Sequence, residues 1–220
     1  MRWTLAGRGD MRTRKKPSAY DQLAAEYANR FCGELDGKPF DRSILRRFAE
    51  TVRDGRACDV GCGPGHVAAH LASMGVATVG LDKSPGMIAE AKRRYASIDF
   101  QVGDMLNLPF EAGSLAGIVA FYSIICLNHN LLPQAFREMN RALRPAGLLL
   151  VSFHEGHGEL HEERVWGTEV SLDCTLFRAD EVERALQEAD FSVAETTVRR
   201  PYDSEYPTRR AYVLADARAS

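Results

Sequence analysis

The sequence has no apolar run long enough to cross a bilayer, and it has no marked excess of either charge. Its 28 lysines and arginines stand against 30 aspartates and glutamates, which gives a formal net charge of -2. A protein that binds nucleic acid or an anionic membrane surface usually carries a strongly basic balance. We therefore expect neither nucleic acid nor a membrane as a partner.

Cysteine is also scarce, with five residues in the whole chain. The number is odd, and no two pairs stand at zinc-ligand spacing, so the sequence predicts neither a disulfide framework nor a metal site. The basic N-terminus lacks the apolar segment of a secretory signal. Together these features favour a cytoplasmic protein with reduced cysteines.

The middle of the chain alternates between short apolar strands and helical patterns. The predicted strands are 57–60, 76–81, 98–102, 115–121 and 148–153, and the helices among them are 66–74, 84–95 and 131–143. Short strands that are almost wholly apolar are typical of parallel strands covered by helices on both faces. The fold class is therefore α/β, with a doubly wound, mostly parallel sheet.

The two ends of the chain depart from this alternation. Residues 1–16 are basic and aperiodic, which predicts a flexible arm. Apolar residues then recur at helical spacing over residues 18–31 and 42–52, and Asp41 is expected to cap the second of these helices. At the other end, a helix over 180–189 precedes two strands, 191–198 and 210–214, joined by a turn. This terminal hairpin requires one strand to be antiparallel to the others.

A glycine-rich run, D-V-G-C-G-P-G over residues 59–65, joins the first strand to the next helix. Glycine lets the backbone approach a ligand closely and adopt dihedral angles that other residues avoid. A dinucleotide-binding turn has the spacing G-x-G-x-x-G, and its last glycine would fall on His66. The third glycine comes one residue early, at Gly65. This shift favours S-adenosylmethionine over NAD as the ligand.

Polar residues follow the neighbouring strands at the sheet edge where open α/β sheets bind ligands. Asp82 follows the second strand and can accept hydrogen bonds from both ribose hydroxyls, although NAD sites also use an acid there. Asp104 follows the third strand and can accept from an adenine amino group, with Met105 against the ring. Phe121 and Tyr122 end the fourth strand, where their backbone would pass near a transferred methyl group.

With these motifs the chain resembles the class I S-adenosylmethionine-dependent methyltransferases, specifically the small-molecule group with this glycine-rich turn. The resemblance extends from Tyr20 to about Leu214 and also rests on the run L-R-P-A-G at 143–147. It implies a Rossmann-like seven-stranded sheet of order 3-2-1-4-5-7-6 with strand seven antiparallel, in agreement with the terminal hairpin. It further implies that residues 17–220 form a single methyltransferase domain, with a helical lid over about 18–53 whose Tyr20 closes over the cofactor.

The resemblance and the strand-end residues together predict the cofactor site. S-adenosylmethionine is the expected cofactor and S-adenosylhomocysteine the product. The residues expected to bind it are Tyr20, Asp59, Gly61, Cys62, Gly63, Gly65, Asp82, Lys83, Met87, Gly103, Asp104, Met105, Phe121 and Tyr122.

The methyl acceptor is expected to be a small metabolite that reacts through oxygen, nitrogen or carbon. The enzyme would align the acceptor with the S–CH3 bond and exclude water, and a base is needed only if the acceptor must lose a proton. Histidine can titrate near neutral pH, so His154 and His129 are the main candidates for that base, with His157 and Glu155 as alternatives, and His154 just beyond strand five is the best placed. Relatives often carry a histidine after strand four, where this chain has Cys126, with His129 three residues on. Residues 154–176 are long for a loop and are expected to form an insertion that walls the acceptor site.

Two other functions remain open at this level. One is a module that binds S-adenosylmethionine or S-adenosylhomocysteine without catalysis, since no essential base is evident. The other is a nucleotide-dependent oxidoreductase, against which His66 and the missing catalytic domain both count. The acceptor and the oligomeric state are not specified by the sequence.

Overall fold

The structure is a computed structural model that describes residues 17–218. The predicted arm over residues 1–16 lies outside that range. The main elements are α1 (Ala19–Phe31), α2 (Pro39–Val52), β1 (Arg56–Val60), α3 (His66–Ser73), β2 (Ala77–Asp82), α4 (Pro85–Arg94), β3 (Asp99–Val102), β4 (Leu115–Phe121), α5 (Leu132–Ala142), β5 (Leu143–Glu155), β6 (Glu159–Val165), β7 (Thr168–Thr175), α6 (Ala179–Glu188), β8 (Phe191–Arg199) and β9 (Arg209–Ala217). Short 3-10 helices lie at Glu34–Gly37, Ile124–Cys126 and His129–Leu131.

Seven strands form the central sheet, in the order β3-β2-β1-β4-β5-β9-β8. Strands β1 to β5 pair in parallel. Strand β9 lies between β5 and β8 and is antiparallel to both. Since β8 and β9 are the sixth and seventh strands predicted from the sequence, the order 3-2-1-4-5-7-6 with an antiparallel seventh strand is confirmed.

Apolar layers cover the sheet on both faces. One cluster joins Phe136 of α5 to the buried rings of Phe153 and Phe191. A second cluster joins Phe48 of α2 to Leu71 of α3 and to strand residues. Every residue of β4 is buried, because the strand is central and both of its faces are covered. This explains why its sequence is apolar without alternation.

The helix starts follow from local hydrogen bonds. The hydroxyl of Ser18 accepts from the Asp21 amide, and the Asp21 carboxylate accepts from the Ser18 amide, which together form a capping box. Ser84 caps α4 through the Met87 amide. The expectation that Asp41 caps α2 is wrong. The helix begins at Pro39, two residues before Asp41. Asp41 lies fully buried in the first turn, where its carboxylate bonds to side chains of other elements.

The segment expected to be a long loop after β5 contains a two-stranded hairpin, β6–β7. Trp166 and Gly167 form its two-residue turn, with φ of 49° and 86° respectively. Positive φ at both turn residues matches the right-handed twist of the strands they join. The hairpin packs on α1, where Leu23 contacts Val165 and Val170. Strand β5 is also longer than predicted, so His154 lies within the strand and not beyond it.

Candidate cofactor and acceptor site

A cavity of about 1310 Å³ opens at the carboxyl ends of the parallel strands. Ligand pockets usually measure roughly 300–1,000 Å³, so this cavity has room for a cofactor and a second molecule. The predicted site residues that line it are Tyr20, Asp59, Gly61, Cys62, Gly63, Asp82, Lys83, Met87, Gly103, Asp104, Met105, Phe121, Tyr122 and His154.

Three glycines with positive φ shape the turn after β1, and they serve different purposes. Gly61, Gly63 and Gly65 have φ of 71°, 52° and 85°. A Cβ at Gly61 would clash with the Cβ of Ser123, so this glycine lets the turn pack against the end of β4. A Cβ at Gly65 would lie 2.6 Å from the Phe100 ring. Gly65 does not line the cavity, so its place in the structure is one of packing rather than ligand contact.

Asp82 fixes the turn as well as lining the cavity. Its two carboxylate oxygens accept from the amides of Gly63 and Ser84, each at 2.8 Å. Burial raises the pKa of Asp82, and these two amide bonds oppose the shift. Each oxygen keeps a second lone pair, so the carboxylate can accept from two further hydroxyls without releasing the turn.

The inner end of the cavity offers unsatisfied polar groups. Asp59 is buried and accepts from the Ala68 amide at 3.0 Å, at the start of α3. Burial raises the pKa of Asp59 to about 7, although the nearby His66 and the Ala68 amide lower it. Ser123 Oγ and His66 Nδ1 are buried without a hydrogen-bond partner among the described residues. These groups fit the charged amino-acid end of S-adenosylmethionine, whose ammonium would stabilise the Asp59 carboxylate.

The loop after β3 is held by Asp104. This carboxylate accepts from Lys83 Nζ at 2.7 Å and from the Leu106 amide at 3.0 Å. Partial burial acts to raise the pKa of Asp104, but the two bonds and the Lys83 charge hold it below its usual value. The loop places Met105 and Leu106 on the cavity wall, where their side chains offer apolar surface to a flat ring.

Helix α1 is tied to the start of α4 by Asp21, a contact that the sequence did not predict. Besides capping α1, the carboxylate accepts from Ser84 Oγ at 2.6 Å and from the Gly86 amide at 3.0 Å. Despite some burial, these bonds lower the pKa of Asp21 to about 2. The tie places Tyr20 on the cavity wall, where its hydroxyl accepts from Cys126 Sγ at 3.4 Å.

The outer end of the cavity lies beside β5 and β9. Tyr122 has a φ of 53°, a strained value of the kind that occurs at functional sites. Its ring lies 5.6 Å from the His154 ring, 5.6 Å from Lys38 Nζ and 5.8 Å from the Arg210 guanidinium. Its hydroxyl lies 2.7 Å from that of Tyr212. The strained residue is thus held by contacts around its whole side chain.

Buried ion pairs support this outer end. Asp41 accepts from Tyr212 at 3.0 Å and from Arg199 at 2.8 Å. Arg199 also donates to Glu205 at 2.7 Å, and Lys38 lies 3.4 Å from Glu205. Although burial acts to raise it, the hydrogen bonds from Arg199 and the Tyr202 amide and the charge of Arg210 lower the pKa of Glu205 to about 2. Glu205 is therefore ionised and fully engaged, which makes it a poor proton acceptor.

Two predicted features lie away from the cavity. His129 is about half exposed, bonds to Glu181 at 2.6 Å and stacks on Phe177, so the structure does not bring it to the site. Of residues 154–176, predicted to wall the acceptor site, only His154 lines the cavity, because the hairpin packs on α1 instead. The loop between β8 and β9 takes that place with Ser204, Glu205 and Tyr206. This contact joins segments distant in sequence and leaves no local pattern.

Over residues 17–218 no group of three or more histidine, cysteine, aspartate or glutamate side chains could hold a metal ion. In the same range, no helix combines the length and apolar character needed to span a bilayer.

Comparison with known proteins agrees with the cavity's geometry. Residues 57–147 match a family model described as a methyltransferase domain, a range that includes the glycine turn, Asp82, Asp104 and Tyr122. Over these residues the chain is similar to a methyltransferase domain. The central sheet that contains this range is Rossmann-like, with the strand order described above.

Similar proteins include two named enzymes and a solved structure. The chain is 37% identical over 99 residues to a demethylmenaquinone methyltransferase of Beutenbergia cavernae, covering 44% of this chain and 40% of that enzyme. It is 31% identical over 94 residues to a malonyl-[acyl-carrier protein] O-methyltransferase of Serratia marcescens, covering 43% and 36% respectively. The chain thus spans less than half the length of both relatives.

A crystal structure of an S-adenosylmethionine-dependent methyltransferase from Methanosarcina mazei superposes with a TM-score of 0.69. The superposition covers 76% of this chain and 94% of the other at 18% identity. This similarity concerns the fold alone.

Proposed function

We propose that the methyltransferase domain transfers a methyl group from S-adenosylmethionine to oxygen, nitrogen or carbon of a small-molecule acceptor. The observation that carries this proposal is the convergence of the glycine turn, Asp82 and Asp104 on one cavity with room for a second molecule. When bound, the cofactor supplies a methyl group on a sulfonium, which is a good leaving group.

The residues of the chain have three tasks in this proposal. Asp82 binds the ribose hydroxyls, while the Asp104 loop holds the adenine. Asp59 and Ser123 receive the amino-acid end. Tyr20 and the rest of the α1 wall exclude water, which keeps the acceptor in line with the methyl group.

The acceptor would lie at the outer end of the cavity, between Tyr122, His154, Arg210 and Tyr206. Relatives are named for a demethylmenaquinone and for a malonyl group on a carrier protein. The cationic groups of Lys38 and Arg210 line this end of the cavity and suit an acceptor that carries a negative charge, such as a carboxylate.

Isothermal titration calorimetry with S-adenosylmethionine, S-adenosylhomocysteine and NAD tests the cofactor. We expect both sulfur compounds to bind and NAD not to bind. Binding of NAD alone would overturn the proposal and favour an oxidoreductase.

A second assay tests turnover. The protein is incubated with S-adenosylmethionine and a panel of metabolites that includes carboxylic acids, phenols, alcohols and amines, and S-adenosylhomocysteine release is followed. Release that depends on the metabolite supports the transferase. Cofactor binding without release on any panel member would instead support a binding module.

A further inference from the structure

His154 has an asymmetric environment at the outer end of the cavity. Its Nδ1 lies 2.6 Å from the hydroxyl of Thr208. Its Nε2 makes no hydrogen bond within the described part of the chain and is not among the buried atoms without a partner. Because the ring lines the cavity, Nε2 is the nitrogen available to a bound molecule.

The position of the proton follows from the partners of Thr208. Arg210 donates to Thr208 Oγ1 at 2.5 Å and to the Thr208 carbonyl at 2.6 Å. A guanidinium can only donate, so the Thr208 oxygen accepts in this bond. Among the described residues that contact the Thr208 hydroxyl, only His154 Nδ1 can accept its proton. An imidazole that accepts at Nδ1 is neutral and carries its proton on Nε2.

The surroundings of His154 also favour the neutral ring. Burial and the nearby charges of Arg210 and Lys38 together lower the pKa of His154 to about 4, although Glu205 opposes the shift. Tyr122, whose ring stacks on His154, has a pKa raised by burial and by its neighbours Tyr212 and Asp41. At neutral pH these groups leave a neutral imidazole beside two cations and a neutral phenol.

We infer that Thr208 and Arg210 hold His154 as the Nε2–H tautomer, so that His154 offers the acceptor a hydrogen-bond donor and not a base. This inference rests on the proposed function for the identity of the molecule it faces. It replaces the sequence-based expectation that His154 removes a proton. Thr208 and Arg210 are positioning residues, since they act through His154.

The donor role restricts the class of acceptor. Among the described residues at the outer end, Glu205 is engaged by cations and His154 is already protonated at Nε2, so neither is free to take a proton from the acceptor. The acceptor would therefore enter as an anion, such as a carboxylate, phenolate or enolate, after losing its proton to solvent. Its oxygen or enolate carbon forms the bond to the methyl carbon, and the bond to sulfur breaks with its electron pair staying on sulfur. The anion and the sulfonium thus become two uncharged centres.

The tautomer is measured directly by long-range proton–nitrogen NMR on protein labelled with nitrogen-15 at histidine. The His154 signal is assigned as the one that disappears in His154→Gln. We expect at pH 7 a protonated Nε2 and an unprotonated Nδ1. Thr208→Val should shift the population toward Nδ1–H, and Thr208→Ser should restore the wild-type pattern. A protonated Nδ1 in the wild type would overturn the inference. This readout needs no turnover, so it separates failure of the inference from failure of the proposed function.

Kinetics with an acceptor that is turned over distinguish donor from base. His154→Gln keeps an N–H donor, whereas His154→Phe keeps a ring against Tyr122 and loses the donor. Loss of a hydrogen bond to a charged group lowers kcat/KM by roughly 10- to 150-fold. We expect a decrease of that size in kcat/KM for His154→Phe, and a decrease of less than about 10-fold for His154→Gln. A base role predicts a similar loss of roughly 100-fold or more in both variants, which would contradict the inference.

Discussion

Asp82 has two sets of partners, the Gly63 and Ser84 amides and the ribose that is proposed to bind there. Asp82→Ala removes the acceptors of the Gly63 and Ser84 amides as well as those proposed for the ribose. We expect S-adenosylmethionine affinity to fall by roughly 10- to 150-fold, because hydrogen bonds to a charged group contribute about 1.5–3 kcal/mol. Calorimetry measures this loss.

Two further variants serve as controls for Asp82. Asp82→Asn keeps one oxygen and most of the shape, so we expect an intermediate affinity. Asp99→Ala changes an exposed aspartate at the start of β3, far from the cavity lining, and should bind as the wild type does. Wild-type affinity in Asp82→Ala would exclude the ribose role.

The sequence predicts individual site residues well where they belong to a local motif. Asp82 and the glycines lie directly after strands, and thirteen of the fourteen predicted cofactor residues line the cavity. Asp21, Glu205 and Thr208 were not predicted as parts of the site. Their partners lie on other elements, so only the folded chain shows what they contact.

At the scale of elements, the position of α1 depends on a charge. The pKa of Asp21 is about 2 in the folded protein, against an ordinary value of 3.8 for an aspartate. Burial acts to raise this pKa, but hydrogen bonds donated to the carboxylate by Ser84, Gly86 and Ser18 outweigh it. A lowered pKa gives stability that is present above about pH 4 and lost as the pH falls toward 2. The tie between α1 and α4 should therefore weaken in acid.

Asp21→Asn tests this pH dependence. At pH 7 we expect the variant to have a lower free energy of unfolding than the wild type, as measured by urea denaturation. The difference should shrink between about pH 4 and pH 2, where the wild-type carboxylate takes up its proton. Asp54→Asn, on an exposed turn, is the matched control. A difference that stays constant over this pH range would argue against the charged tie.

The β6–β7 hairpin packs against residues of α1 that line the cavity. Trp166 lies 6.0 Å from Tyr27, 5.7 Å from Phe31 and 5.1 Å from the Arg30 guanidinium. Such contacts contribute about 0.5–1.5 kcal/mol each when they are well packed. Trp166→Ala should therefore loosen α1 and weaken S-adenosylmethionine binding by roughly 3- to 10-fold in calorimetry. Trp166→Phe keeps an aromatic ring and should lose less of the S-adenosylmethionine affinity. Wild-type affinity in both variants would mean that the hairpin does not support the site.

The elements that the sequence predicts poorly have a common physical cause. The alternating strands of the central sheet are apolar because both faces are covered, and the boundaries of β1 to β4 agree within one residue, whereas β5 begins five residues before its predicted start. The hairpin is mostly exposed and charged, with a burial pattern that gives little period-two signal. Its Trp166-Gly167 turn also lacks the asparagine or aspartate that usually marks such turns.

For the whole molecule, ligand binding and unfolding are linked. A ligand at 100 times its Kd stabilises the folded state by about 2.7 kcal/mol. In a domain of this size that corresponds to a rise in Tm of roughly 5–10 °C. We expect this rise with S-adenosylmethionine and with S-adenosylhomocysteine in differential scanning fluorimetry. NAD at the same concentration should leave Tm unchanged, and a rise with NAD alone would point to a different cofactor.

The turn of the β6–β7 hairpin also gives the protein a built-in optical probe. The chain has two tryptophans, and Trp166 is the one that stacks against α1. In a Trp3→Phe variant all indole emission would come from the hairpin tip. Its intensity and wavelength would then follow how firmly α1 is held against the hairpin. Stopped-flow emission could time any movement of α1 during cofactor entry without an attached dye.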